Sequence, residues 1–213
     1  MRVPHPPEYL RRASTLAHRV VGALLGIVGL LVLGEALAGS ARSFHLWWSG
    51  SAAVLGLLFV AFMLFHHGFR LLPSWLADLG GDPQQRQHVT IGILLTIGAA
   101  VEFARTSTNS PSALLRLAWP LALLLIGVMF VRHTQHGTGQ AVGQARRFHT
   151  LLGWTLVAAA LLSAAAAFSP AAAAGPASAL ALLAAAVLLL SYREPAGAWE
   201  PSSAPHHQMR AEG

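Results

Sequence analysis

The chain has no cysteine, no lysine and few charges of either sign. Without cysteine there are no disulfides, thiolate metal sites, iron–sulfur clusters or cysteine nucleophile. Any metal must be held by His, Met, Asp, Glu or backbone. Without lysine, all 14 basic residues are arginine. The pI near 11.4 points to nucleic acid only until those arginines are placed. They are scattered among apolar segments, as topology determinants are, and form no nucleic-acid footprint. A nucleotide-binding glycine loop, a catalytic-triad signature and the zinc-protease HExxH are also missing, so ATP-driven transport and hydrolysis have no positive support.

What is abundant is apolar surface: 54% of the 213 residues are hydrophobic and only 10% are charged, too apolar for an ordinary soluble domain. The expected class is all-α, an integral membrane bundle of six transmembrane helices in a lipid bilayer. Apolar runs at about 17–38, 50–67, 89–105, 117–132, 149–168 and 176–192 each approach the roughly 20 residues a span requires. Between them lie Gly39-Ser40, Gly80-Gly81-Asp82-Pro83, Thr106 to Pro111, Gly137 to Gly143 and Ser169-Pro170 to Gly175-Pro176, all loop chemistry. Residues 1–16, broken by Pro4, Pro6 and Pro7, read as a cytoplasmic tail and not a signal peptide. Residues 193–213 read as a disordered tail whose His206-His207 pair is no built site. Trp47, Trp48, Trp75 and Trp154 fall near span ends, where an amphipathic ring suits the headgroups.

Six spans put Arg2, Arg11, Arg12, Arg19, Arg70, Arg86, Arg132, Arg146, Arg147, Arg193 and Arg210 on one side, against Arg42, Arg105 and Arg116 on the other. The positive-inside rule then predicts an inner (plasma) membrane protein with both termini cytoplasmic.

The histidines follow this topology. His18, His66, His67, His88, His133, His136 and His149, from five spans, gather at the arginine-rich level, and only His45 falls opposite. The first, third and fifth spans open with His-x-x-x-Gly (His18/Gly22, His88/Gly92, His149/Gly153). The second and fourth close with Met-x-x-x-His (Met63/His67, Met129/His133). Arg86-x-His88 matches Arg147-x-His149, which suggests repeated helical hairpins. On a helix, residues four apart share a face, so each Met/His pair can point into one site, as can His133 with His136 at spacing three. The glycines let a neighbouring helix or a flat cofactor come close.

Imidazole with thioether suits copper, and imidazole alone suits zinc, iron or nickel. A cytoplasm-facing transition-metal site, with copper preferred, is therefore expected, serving copper handling or support of a membrane metalloenzyme with a redox or metallochaperone partner. The alternative is a b-type haem membrane protein passing electrons. Its axial histidines would come from facing helices, with Arg70, Arg86, Arg132 or Arg147 near the propionates. A third reading is a structural accessory subunit whose histidines sit at the headgroups. The strings AHRVVG and RRFHTLLG resemble helix starts in membrane b-type cytochromes and haem A synthases. That resemblance covers these strings only, and the paired mid-helix histidines of such families are not found. His-His and His-x-x-His are similar to parts of the histidine boxes of membrane di-iron hydroxylases but fall short in number and spacing.

Acidic residues are few. Glu102, in the third span, is expected as a proton or cation relay, because an intramembrane carboxyl is costly to keep. Glu35, near the end of the first, is expected to snorkel to the interface. Asp78 and Asp82 offer oxygen ligands, though Asp82 before Pro83 reads first as turn chemistry.

Overall fold

The computed structural model describes residues 7–39, 42–66, 83–133, 139–168 and 173–198, with backbone alone at 7 and 64–66. These form α1 (Pro7–Leu37), α2 (Arg42–His66), α3 (Pro83–Ser107), the single turn α4 (Ala113–Arg116), α5 (Ala118–Val131), α6 (Gly139–Phe168) and α7 (Ala174–Ser191). Six stretches, with α4 and α5 counted as one, are long and apolar enough to cross a membrane. The protein is an all-helical multi-pass membrane protein.

Helix α1 begins at Pro7, well before its apolar run near residue 17. Proline is tolerated in a first turn, where its missing N–H has no intrahelical partner to lose, and Arg12 pairs with Glu8 one turn back at 2.5 Å. At the other end, residues 193–198 fold back onto the bundle. Glu194 is buried, accepting from Ser14 Oγ at 2.5 Å and from the Tyr192 hydroxyl at 3.0 Å. Residues 1–6 and 199–213, including His206 and His207, lie outside the described residues.

The spans close a ring in chain order: α1 packs on α2, α2 on α3, α3 on α5, α5 on α6, α6 on α7, and α7 returns to α1. Large apolar side chains point away from the ring, among them Leu16, Ile27 and Leu30 on α1, Ile97 on α3, Leu121 on α5 and Leu161 on α6. Such a surface suits acyl chains and would be untenable in water. The middle of the ring is plugged by Val28, Ala52, Ala99, Leu123, Leu152, Leu156 and Leu182.

Several junctions of the ring are tightened by small residues. A Cβ on Gly92 would lie 2.7 Å from Val60 of α2, one on Gly153 would lie 2.6 Å from the Gly127 carbonyl of α5, and one on Gly22 would lie 2.8 Å from Leu189 Cβ of α7. Of the two roles open to the His-x-x-x-Gly glycines, the structure shows close approach of a neighbouring helix. This packing argument holds whether or not the hairpins share ancestry. Gly153→Val is therefore expected to push α5 from α6 and cost about 3 kcal/mol, the upper end for overpacking, because the obstacle is backbone. Gly143→Ala, in the same helix with nothing near its Cβ position, should be neutral or slightly stabilising. Thermal unfolding of both variants in detergent checks the contrast.

Candidate functional site

At the arginine-rich end, the ring opens into a cavity of about 160 Å³ lined by residues of α1, α2, α3, α5 and α6 together with Leu189 and Glu194. Its wall is apolar, with Leu25, Leu55, Phe59, Ile91, Ile126 and Phe130, and into it come His18, His88, His149 and Met63. Three helices carry these histidines at the same end of the bundle, with the same local geometry each time. His18 Nδ1 donates to the Ser14 carbonyl at 2.8 Å, His88 Nδ1 to the Gln84 carbonyl at 2.7 Å, and His149 Nδ1 to the Ala145 carbonyl at 2.8 Å.

A carbonyl only accepts, so each Nδ1 carries the hydrogen and each neutral ring keeps its lone pair on Nε2. Metal-ligating histidines are commonly oriented in this way, the far nitrogen fixed by an acceptor so that the near one can coordinate. His149 is 1% exposed, and its buried Nε2 has no hydrogen-bond partner among the described residues. Leaving such an acceptor unanswered costs about 1–3 kcal/mol.

The rings form a continuous group. His133 lies 4.2 Å from His149 and 5.0 Å from His88 between ring centroids, and His18 lies 5.8 Å from His149. Phe130 stacks on His149 at 5.8 Å with 9° between planes. Tyr192, just past α7, stands against His18 at 4.1 Å, so the one span without a histidine near this level puts a phenol there instead. Burial, reinforced by the neighbouring Glu194 carboxylate, pushes the Tyr192 phenol pKa up, which keeps the ring beside His18 neutral.

His133 stands beside the cavity and does not line it. Helix α5 ends at Val131, so His133 is not on a continuing turn with Met129, and its Nδ1 meets Gln87 Oε1 at 2.9 Å. Met129 packs on the core, and its carbonyl accepts from Gln87 Nε2. The Met129/His133 pair therefore does not make the chelate expected from spacing, while Met63 does reach the cavity. Arg86, Arg132 and Arg147 are exposed at the same level, and none lines the cavity. His67, His136, Arg70, Asp78 and Asp82, and the side chain of His66, lie outside the described residues. Among the described residues no three His, Asp or Glu side chains are grouped to hold one metal ion.

Glu102 belongs to a different cluster, at the opposite end of the ring. There His45 Nδ1 meets Glu35 Oε1 at 2.6 Å, and its Nε2 meets Glu102 Oε1 at 2.7 Å, so one imidazole joins α1, α2 and α3. Arg105 donates to Glu102 Oε1 at 2.6 Å, and Trp48 Nε1 donates to Glu35 Oε2 at 2.6 Å. Glu35 does not snorkel, since both its oxygens are engaged inside the ring. Trp48 is no headgroup anchor either, being 4% exposed. Trp47, 69% exposed, and Trp154, 59% exposed, do face outward. His45, Glu35 and Arg105 are the ionisable members that the sequence did not single out as site residues, and the signal open to it was Glu35, His45 and Glu102 at one level on three consecutive spans.

No known protein family, no curated protein sequence and no solved structure matches this chain.

Proposed function

We propose that the protein is a b-type haem membrane protein that passes electrons, and that His149 and either His18 or His88 would hold the haem. The observation that carries this reading is the largely apolar cavity with three Nδ1-anchored histidines, one of which keeps a buried Nε2 without a partner among the described residues. A bare ion held by imidazole needs three or four converging donors, and the described residues offer no such group. A haem iron asks the protein for two, and the apolar wall suits a macrocycle better than a hydrated cation.

A porphyrin needs more room than 160 Å³. The side chains best able to give way are Leu10, Phe62 and Met63 at the open end, methionine being the most adaptable of them. Once bound, the group would supply one-electron chemistry. The chain's part is to orient the imidazoles and exclude water with Phe59, Phe130 and Leu152. By the count of eleven arginines against three, the histidine end faces the cytoplasm of a plasma membrane, where a redox partner would meet it.

A second reading, a copper site, is favoured by Met63 lying in the same cavity as the histidines. The two readings separate on Met63→Leu. If haem is bound, purified protein carries about one iron per chain and the variant keeps it, since thioether is not required for axial ligation. If copper is bound, the wild type carries copper and the variant loses it. Elemental analysis of both proteins decides, and stoichiometric copper without iron would sink the haem reading.

A further inference from the structure

The arginine-poor face carries Glu35, Arg42, His45, Glu102, Arg105 and Arg116, and no other charged residue or histidine. All six line one polar cavity of about 830 Å³ at that end of the ring. The charge bias of membrane topology disfavours arginine on this side, so three arginines gathered at one cavity call for a reason other than orientation.

The charges do not cancel. Glu35 and Glu102 are answered within the cluster by His45 and Arg105. Arg42 and Arg116 meet no carboxylate among the described residues. Arg42 donates to the Ser107 carbonyl at 2.7 Å and Arg116 to the Ala167 carbonyl at 3.5 Å, which leaves most of each guanidinium's five N–H groups available. With His45 cationic, the cavity holds four cations against two anions. With His45 neutral, it holds three against two. Either way it is positive, and Thr106, Asn109 and Ser163 add neutral polar groups to its wall.

We infer that this cavity binds a phosphate group, held by Arg42 and Arg116 and carried either by a soluble molecule or by an anionic lipid headgroup. Two forked guanidiniums match phosphate oxygens in geometry and charge. The Glu35–His45–Glu102–Arg105 unit fixes three helices behind the site. The inference stands apart from the group bound at the histidine end.

Equilibrium binding of radiolabelled inorganic phosphate to purified, delipidated protein tests it, with chloride at matched ionic strength as competitor. Saturable binding that chloride does not displace is expected. Arg42→Gln and Arg116→Gln should each weaken it about tenfold, the double variant should show none, and Arg42→Lys should keep part of it. The lysine variant separates loss of charge from misfolding, should a glutamine variant prove unstable. Repeating the titration in bilayer discs assigns the source. Phosphate binding lost when phosphatidylglycerol is added to phosphatidylcholine indicates the lipid headgroup, and unchanged binding indicates a soluble ligand. Absence of chloride-resistant binding, or equal binding by the double glutamine variant, would overturn the inference.

Discussion

His149→Ala is expected to leave a folded protein that no longer retains haem. Loss of an outer partner alone weakens metal binding roughly 10–100-fold, and His149 would be a ligand itself, so the loss should exceed that range. The fold should survive, because the change also removes a buried nitrogen that has no partner among the described residues. Part of the roughly 1–3 kcal/mol tied up in that nitrogen would then offset the packing lost against Phe130 and Phe148. His18→Ala and His88→Ala divide the remaining assignment. Loss of the one that would hold the haem together with His149 should abolish the haem spectrum, and loss of the other should only broaden or shift it. Haem retained at wild-type stoichiometry in His149→Ala would remove that residue from the site.

The second large effect is expected at the other end of the ring. His45→Leu takes away the one group that, among the described residues, bonds to both Glu35 and Glu102, leaving Glu35 with Trp48 and Glu102 with Arg105. Breaking a buried pair by removing one partner costs roughly 3–5 kcal/mol. Here the side chains of His45 and Glu35 are 16% and 18% exposed beside a polar cavity that can admit water, so about 3 kcal/mol is expected. Changing Glu35→Gln in the same molecule should recover part of that loss, since the stranded charge is removed as well. Thermal unfolding of the two single variants and the double variant measures the coupling. Independent, additive losses would show that His45 does not act as the bridge between α1 and α3.

The spans were legible because each is a local property: a run of apolar residues long enough to cross a bilayer announces itself in the sequence. The gathering of His18, His88 and His149 was legible for the same reason, since residues at the starts of alternate spans must share a level. Contacts between spans were not. His45 and Glu102 are separated by 57 positions, and no periodicity marks that they meet. Glu35 was read as snorkelling because a lone carboxyl near a helix end does so, and its partners come from another helix. Spacing misled at Met129 and His133 because the four-residue rule assumes a helix that continues, and α5 stops at Val131. The start of α1 was hidden by Pro4, Pro6 and Pro7, which read as a broken tail until Pro7 takes the first helical position.

The His-x-x-x-Gly pattern carried two possibilities, and the structure separates them. Each glycine serves the helix that closes the ring beside it, while each histidine, one turn nearer the membrane face, is left to line the cavity. Close packing and the cavity lining thus use neighbouring turns of the same helix. The tight junctions hold the imidazoles at fixed positions, which is the preorganisation that the proposed haem would require.

The reduced-minus-oxidised absorbance spectrum of the purified protein tests the central claim most directly. A Soret band that sharpens and moves to longer wavelength on reduction, present in the wild type and absent from His149→Ala, is the result this account predicts. A colourless wild-type protein from haem-replete cells, with the same featureless spectrum before and after reduction, would contradict it.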